Sequence, residues 1–269
     1  MLRILILVSL LPACKTSGRS SVAASTVISA AETLDLSQYS ASDPDFEKFR
    51  AELGPQYVKA LSQLQELITS EERRLPEAHA KLAEAEKVAI YHYSAMGYRE
   101  LNKVLRKADV EATAKQAGFI KVLSSALNKL PPYVGTVYRG GMLPAYGEHD
   151  YFSPFHGQKT VDPRRLAAFM PGQVFVDKGF MSTSAHSPEG IRQAFGCREA
   201  LYTISSKYGH DISSLAVISN ELEVLFVPGS EFRINRVHNT FPPDNQCLNE
   251  VVELDVDEVQ PGTYKPGAD

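Results

Sequence analysis

The sequence predicts an α+β protein in which a helical half precedes a strand-rich half. Within residues 44–130, apolar side chains such as Leu61 and Leu64 recur at steps of three and four, the period of amphipathic helices. After Pro131–Pro132 the chain changes to short β-branched and aromatic segments separated by Gly, Pro, Ser and Asp, which indicates strands. Because the helices are grouped in front of the strands and do not alternate with them, a doubly wound sheet is not expected.

The composition is that of a globular protein that can build a hydrophobic core. Of 269 residues, 43% are hydrophobic and 22% are charged, which argues against both disorder and a fibrous architecture. The formal net charge of −4 and the pI of about 6.0 lack the basic excess that binding to a phosphate backbone needs. Nucleic acid is therefore not an expected partner.

The first 13 residues have the features of a signal peptide that is too short to span a membrane. Arg3 gives a minimal positive end, and Ile4–Leu11 form an apolar run. Leu11–Cys14 also resemble a bacterial lipobox, in which a cysteine is lipidated and becomes the mature N-terminus. We expect an exported lipoprotein that is anchored to a membrane through Cys14. The alternative is a plain secretory peptide that happens to end near a cysteine.

Two features of the chain after the signal peptide extend this prediction. Residues 14–43 are rich in Ser, Ala and Thr, as expected of a flexible tether in front of a single domain over 44–269. Lys15 stands where an acidic residue often marks inner-membrane retention, which favours the outer membrane or the cell surface, with or without later release. Within the domain, we expect a helical part over 44–130 and a strand-rich part over 131–260.

The cysteines leave the redox chemistry open. If Cys14 carries lipid, Cys197 and Cys247 remain as an even pair in an oxidising compartment, where they either form a disulfide or stay as two separate buried thiols. No spacing typical of a zinc site joins the cysteines to the 7 histidines, so no metal is expected.

The first segment that could carry chemistry is Gly135–Gly141 (GTVYRGG), a β-type run that ends in an arginine and two glycines. A guanidinium can form two parallel hydrogen bonds with a diphosphate, so Arg139 is a candidate ligand-binding residue. Gly140 would let backbone amides approach a ligand closely. The alternative is a solvated arginine beside a turn.

The second segment is Gly179–Ala185 (GFMSTSA), in which a hydroxyl-rich strand follows a glycine and an aromatic residue. The compact hydroxyls of Ser182, Thr183 and Ser184 can hydrogen-bond neighbouring catalytic groups and leave room for a ligand against the sheet. Serine and threonine are also common in ordinary strands and turns, which is the alternative.

The third segment is Asn220–Gly229 (NELEVLFVPG). If it forms one strand, the alternation of side chains places Glu221 and Glu223 on one face and apolar residues on the other. Two carboxylates would then point together from a rigid, apolar-backed support. The alternative is a solvent-facing strand whose outward residues happen to be glutamates.

In this order and at these separations, the three segments resemble the signature of the arginine-type mono-ADP-ribosyltransferases: an aromatic–Arg pair, Ser-Thr-Ser and Glu-x-Glu. Upstream, Glu86–Arg106 resembles the helical segment of clostridial-type toxin catalytic domains, and the similarity continues downstream through Val227–Ile234. The resemblance implies a mainly antiparallel, two-sheet β core in which the strand-rich part binds NAD. It also implies transfer of ADP-ribose to an arginine of a target protein, with NAD consumed as substrate, nicotinamide released and no metal involved.

The resemblance also assigns roles to the acidic segment and its support. Breaking the nicotinamide–ribose bond creates positive charge on the sugar, which the Glu223 carboxylate would stabilise while it also binds a ribose hydroxyl. Ser182 would support Glu223. Glu221 would orient the acceptor guanidinium or accept its proton, and glutamate at this position goes with arginine as acceptor. The loop Lys207–Asn220 would contact the target protein.

For NAD itself, the resemblance assigns the phosphates to Arg139 and the amide of nicotinamide to Gly140. Phe195 would either stack on the nicotinamide ring or belong to the core. The residues predicted to bind NAD are therefore Arg139, Gly140, Thr183, Ser184 and Phe195.

Two other functions remain open on the sequence. Water could replace arginine as the acceptor, which would make the protein an NAD glycohydrolase. A lipid-tethered binding module could instead keep the fold without catalysis, with the glutamates as surface charge only.

Overall fold

The computed structural model describes residues 36–70, 75–141, 169–187, 200–240 and 251–259. Several predicted features lie outside these ranges: the signal peptide, the lipidated Cys14, the nicotinamide-stacking Phe195, and the pair Cys197 and Cys247. These features stay predictions.

The first half of the described chain is helical. The α-helices are α1 Asp43–Leu53, α2 Pro55–Thr69, α3 Glu77–Ala80, α4 Glu84–His92, α5 Tyr98–Lys107, α6 Val110–Lys115 and α7 Ala117–Lys129. A π-helical turn, Tyr93–Gly97, continues α4 directly into α5. Between α1 and α2 the chain turns at Gly54, whose φ of 53° suits glycine, and Pro55 then supplies the fixed φ of a first helical residue.

Helix α7 is the centre of the helical half. It is buried over most of its length and packs against α1 and α4. The largest fully buried side chains of this helical core include Phe49, Tyr93, Leu101, Leu123 and Leu127. None of the described helices is both long enough and apolar enough to cross a membrane.

The contact between α1 and α7 depends on Gly118. A Cβ at this position would lie 2.6 Å from the backbone nitrogen of Phe49 and 2.9 Å from the backbone carbon of Lys48, closer than real Cβ atoms come. We therefore expect Gly118→Ala to lower the free energy of unfolding by about 1–3 kcal/mol, the usual cost of overpacking. Urea denaturation followed by circular dichroism measures this. In a helix with free space the same change adds roughly 1 kcal/mol, so a stabilised variant would contradict the predicted contact.

The segment in front of α1 is attached to the domain. Asn128 Nδ2 donates a hydrogen bond to the carbonyl of Leu36 at 2.8 Å, and the amide of Ala41 donates to Ser125 Oγ at 2.9 Å. We expected a flexible tether up to residue 43. The described part of that segment instead lies against α7, because side chains of α7 bind its backbone.

The second half of the described chain consists mainly of strands. They are β1 Tyr133–Gly141, β2 Val174–Asp177, β3 Met181–Ser184, β4 Ala200–Asp211, β5 Glu223–Phe226, β6 Ser230–Thr240 and β7 Val251–Val259. A short 3₁₀ turn, Ser219–Glu221, precedes β5. Strands β4 and β7 are parallel, and the other described pairs are antiparallel.

The strands form a five-stranded sheet and a two-stranded ribbon that are joined at their edges. The sheet has the order β1-β4-β7-β6-β2, and the ribbon consists of β3 and β5. Tyr138 of β1 pairs with Ser184 of β3, and His210 of β4 pairs with Leu225 of β5. The predicted α+β fold with a mainly antiparallel core is confirmed. Its two sheets are connected into one hydrogen-bonded network.

Strand β5 is buried on both faces because it lies between two hydrophobic cores. Val224 and Phe226 belong to the core of the sheet, whereas Leu225 belongs to the helical core. Glu223, the first residue of β5, is only 6% exposed. The alternative of a solvent-facing strand with outward glutamates is therefore wrong for Glu223.

Candidate active site

The three candidate segments meet at the ribbon formed by β3 and β5. Across this ribbon Ser184 pairs with Glu223. Strand β1 approaches the same ribbon, and the Nη1 atom of Arg139 donates a hydrogen bond to the carbonyl of Ser182. The fold therefore brings Arg139, Ser182 and Glu223 together, although they lie far apart in the sequence.

Glu223 is a buried carboxylate with a strongly altered pKa. Burial is the main cause that raises its pKa to about 7, and the negative charge of Glu221 adds to the increase. A hydrogen bond from Ser182 and the positive charge of Arg139 oppose the shift. Glu223 therefore gains or loses its charge near neutral pH, a property typical of catalytic carboxylates.

Glu221 does not lie on the strand with Glu223, so the prediction of one strand from Asn220 onward is wrong. Glu221 ends the 3₁₀ turn, and Leu222 adopts a left-handed conformation with φ 47° before β5 begins. This one residue interrupts the alternation of side chains. The two carboxylates remain close enough for Glu221 to raise the pKa of Glu223, and burial raises the pKa of Glu221 itself.

Thr183 and Ser184, which we predicted to bind NAD, donate their hydroxyl protons to the protein backbone. Thr183 Oγ1 donates to the carbonyl of Val224 at 2.7 Å, and Ser184 Oγ donates to the carbonyl of Glu221 at 2.5 Å. Both residues are buried. Their hydroxyls fix β3 to the acidic segment, whereas the hydroxyl of Ser182 contacts the Glu223 carboxylate.

Two further predicted positions can be placed. Gly140 lies in β1 beside Arg139 and pairs with Leu201 of β4. The loop expected over Lys207–Asn220 is shorter than predicted, because β4 continues to Asp211: it pairs with β1 up to Gly209 and with β5 at His210 and Asp211. The loop therefore begins at Ile212.

An ion pair that the sequence did not predict lies beside the site. Arg106, at the end of α5, donates two hydrogen bonds to the carboxylate of Asp177, at 2.9 and 3.0 Å, and a third to the carbonyl of Phe180 at 3.2 Å. Burial opposes ionisation of Asp177, but the charge of Arg106 holds its pKa below the usual value. Arg106 ends the segment Glu86–Arg106 that carries the upstream resemblance, whereas no sequence pattern pointed to Asp177.

The helical half also contributes two residues that the sequence did not predict, Asn102 and Tyr93. They bind the backbone of Phe180, the residue in front of β3. Asn102 Oδ1 accepts a hydrogen bond from the amide of Phe180 at 2.8 Å, and its Nδ2 donates to the hydroxyl of Tyr93 at 3.0 Å. The Tyr93 hydroxyl in turn donates to the Phe180 carbonyl at 3.2 Å. A Cβ on Gly179 would lie 2.8 Å from Asn102 Oδ1, so glycine is required for this close approach. The helices thereby fix the strand that carries Ser182.

The site has a cationic side and an anionic side. Arg139 and Arg106 donate hydrogen bonds to the carbonyls of Ser182 and Phe180, which are two residues apart. Burial lowers the pKa of Arg139, and so does the charge of Arg106, whereas the Asp177 carboxylate opposes this shift. Glu221 and Glu223 form the anionic side. A ligand with a diphosphate and a cationic ring, as in NAD, matches both sides. Among the described residues, no group of three His, Cys, Asp or Glu side chains is arranged to hold a metal ion.

The burial of Glu223 should reduce stability at neutral and alkaline pH. Its pKa is about 7 in the folded protein against an ordinary value of 4.5, so the folded state binds more protons between these values and stability falls as pH rises through this window. At pH 8 we expect uncharged Glu223→Gln to exceed wild type in unfolding free energy by up to about 3 kcal/mol, with the gap closing toward pH 4.5. Urea denaturation at both pH values measures the difference. A variant less stable than wild type at pH 8 would contradict this account.

Sequence comparisons link this site to known enzymes. Residues 67–256, more than half of the chain, match the family described as ADP-ribosyltransferase exoenzyme. Over 173 residues, 58% of its length, the chain is 31% identical to the ADP-ribosyltransferase toxin Vis of Vibrio splendidus. Over 152 residues, 55% of its length, it is 32% identical to the NAD(+)–protein-arginine ADP-ribosyltransferase Tre1 of Serratia proteamaculans. The chain spans 60% of Vis and 28% of Tre1, less than two thirds of either.

The fold comparison agrees with the sequence comparison. The crystal structure of the ADP-ribosyltransferase HopU1 of Pseudomonas syringae superposes with a TM-score of 0.59, covering 82% of this chain and 100% of that chain at 21% identity. The matched region of the family runs from α2 into β7 and includes Arg139, Ser182 and Glu223. The chain therefore belongs to the ADP-ribosyltransferase exoenzyme family.

Proposed function

We propose that this protein transfers ADP-ribose from NAD to an arginine side chain of another protein and releases nicotinamide. The observation that carries the proposal is Glu223, a buried carboxylate that titrates near neutral pH between Ser182, Arg139 and Glu221. Family membership supports the same activity, and so does the similarity to the ADP-ribosyltransferases Vis and Tre1.

In the first step, the bond between the ribose C1′ atom and the nicotinamide nitrogen breaks, and its electron pair leaves with nicotinamide. Positive charge develops on the ribose, and the Glu223 carboxylate stabilises it. Ser182 holds this carboxylate through its hydroxyl. Arg139 supplies positive charge for the diphosphate. The cationic nicotinamide ring favours the ionised form of Glu223 when NAD binds.

In the second step, a guanidine nitrogen of the acceptor forms the new bond to C1′ and loses one proton. Glu221 orients the guanidinium and accepts this proton. Burial raises the pKa of Glu221, which makes it a better proton acceptor than an ordinary glutamate. The loop before Glu221 exposes the apolar side chains of Val217 and Ile218. Leu222, the residue after Glu221, also has an exposed apolar side chain. These side chains lie where a protein acceptor would approach.

The direct test uses the purified protein, labelled NAD and two acceptors, agmatine and an arginine-rich protein. We expect labelled ADP-ribosyl-agmatine, ADP-ribose on arginine residues identified by mass spectrometry, and one nicotinamide released for each transfer. Free ADP-ribose as the only product would establish a glycohydrolase instead. Absence of nicotinamide release would favour a binding module without catalysis.

We also propose that the protein is exported and anchored to a membrane, at the outer membrane or the cell surface, through lipid on Cys14. The support is the apolar run that ends in Leu11–Cys14. In bacteria fed labelled palmitate, we expect wild type and the control Cys197→Ala to carry label and Cys14→Ala to carry none. An unlabelled wild-type protein would identify a plain secretory peptide instead.

A further inference from the structure

The turn that carries Glu221 is held by the three residues that follow the Ser-Thr pair of β3. We call Ser219–Leu222 the acceptor turn. Three of its consecutive carbonyls, those of residues 220, 221 and 222, each accept a hydrogen bond. The donors are the His186 side chain, the Ser184 hydroxyl and the amide of Ala185, respectively. The last residue of β3 and the two residues after it therefore fix the acceptor turn at all three carbonyls.

The acceptor turn needs this support because its backbone is strained. Leu222 has φ 47° and ψ 51°, the left-handed region that a residue with a Cβ rarely adopts. A conformation of this kind persists only where surrounding contacts determine it. Without them, the turn would relax and the carboxylate of Glu221 would lose its fixed position.

His186 is the one member of this support that contributes through an exposed side chain. The carbonyl of Asn220 can only accept, so Nε2 of His186 must carry the proton that forms the bond. The His186 amide also donates to Ser184 Oγ at 3.0 Å, which keeps the imidazole beside the turn. His186 lies at the surface, so a change of its side chain leaves both hydrophobic cores intact.

We propose that His186 is a positioning residue for the acceptor: it holds Asn220 so that Glu221 faces the incoming guanidinium, and thereby sets the ratio of transfer to hydrolysis. The inference rests on the proposed function. Glu223 is held independently, by the pairing of β3 with β5 and by Ser182. Loosening the acceptor turn should therefore lower transfer to arginine while NAD cleavage, with water as acceptor, continues.

A matched pair of variants tests this role. In His186→Gln, the side-chain amide can replace Nε2 as the donor to Asn220. In His186→Leu, a side chain of similar size has no donor. We expect His186→Leu to lower kcat/KM for agmatine about tenfold, the usual effect of losing one such hydrogen bond, with hydrolysis of NAD and the KM for NAD within about twofold of wild type. His186→Gln should retain transfer within about threefold.

Two outcomes would overturn the role: equal transfer by both variants, or a parallel loss of transfer and hydrolysis. Hydrogen–deuterium exchange of the peptide over 218–223 gives a readout that does not need activity. We expect about tenfold faster exchange in His186→Leu than in wild type and His186→Gln. Equal exchange in all three proteins would show that His186 does not hold the turn. If wild type cleaves no NAD, the proposed function fails, and exchange alone decides whether His186 supports the turn.

Discussion

Replacement of Glu223 with glutamine is expected to lower the rate of NAD cleavage by at least about 10³-fold, with or without an arginine acceptor. Glutamine has the shape of glutamate and can still accept the hydrogen bond from Ser182, so the ribbon of β3 and β5 should keep its geometry. The variant has no negative charge to stabilise the positive ribose. Nicotinamide release, measured at saturating NAD, reports this step directly.

A control for this result is Glu111→Gln, which removes a carboxylate from the exposed surface of α6. It should cleave NAD at the wild-type rate. Substantial activity in Glu223→Gln would mean that the charge on Glu223 is not needed, and the assignment of the catalytic carboxylate would be wrong. Because the same variant is expected to unfold at higher free energy at pH 8, loss of activity through unfolding can be distinguished from loss of chemistry.

The division of the fold could be predicted from the sequence because it rests on local periodicity. We placed the change from helices to strands between residues 130 and 131, and the last helix ends at Lys129 while the first strand begins at Tyr133. Amphipathic helices and short β-branched strands each repeat their own pattern over many residues. Single irregular residues therefore do not obscure the repeated pattern of either half.

The acidic segment shows where the same reasoning fails. Alternation with a period of two assumes extended backbone at each residue, and Leu222 breaks this assumption by adopting a left-handed conformation. Neither glycine nor asparagine stands at this position to indicate such a turn. Glu221 and Glu223 still come together, because the turn and β5 are both held by β3.

Contacts between residues that lie far apart in the chain could not be predicted from the sequence either. Arg106 lies near the end of α5 and Asp177 at the end of β2, and the packing of α5 against the segment between β2 and β3 brings them into contact. The hydroxyls of Thr183 and Ser184 illustrate a related difficulty. Their residue types suit ligand binding, but a carbonyl of β5 and a carbonyl of the turn before it already accept their protons.

Replacement of Glu221 with glutamine is expected to separate the two halves of the reaction. We expect kcat/KM for agmatine to fall about 10²-fold or more, because a neutral amide neither balances the charge of the guanidinium nor accepts its proton. Hydrolysis of NAD should persist within a few fold of wild type. Loss of the negative charge of Glu221 also lowers the pKa of Glu223, so the ionised form of Glu223 becomes more abundant near pH 7.

Parallel assays of nicotinamide release and ADP-ribosyl-agmatine formation measure this separation, with Glu221→Asp as a variant that keeps the charge on a shorter side chain. If transfer and hydrolysis fall together in Glu221→Gln, Glu221 acts on NAD cleavage and not on the acceptor. Comparison with Glu223→Gln then locates each carboxylate in the reaction. A variant blocked before the positive ribose forms releases no nicotinamide, whereas a variant blocked after it releases nicotinamide but passes ADP-ribose to water.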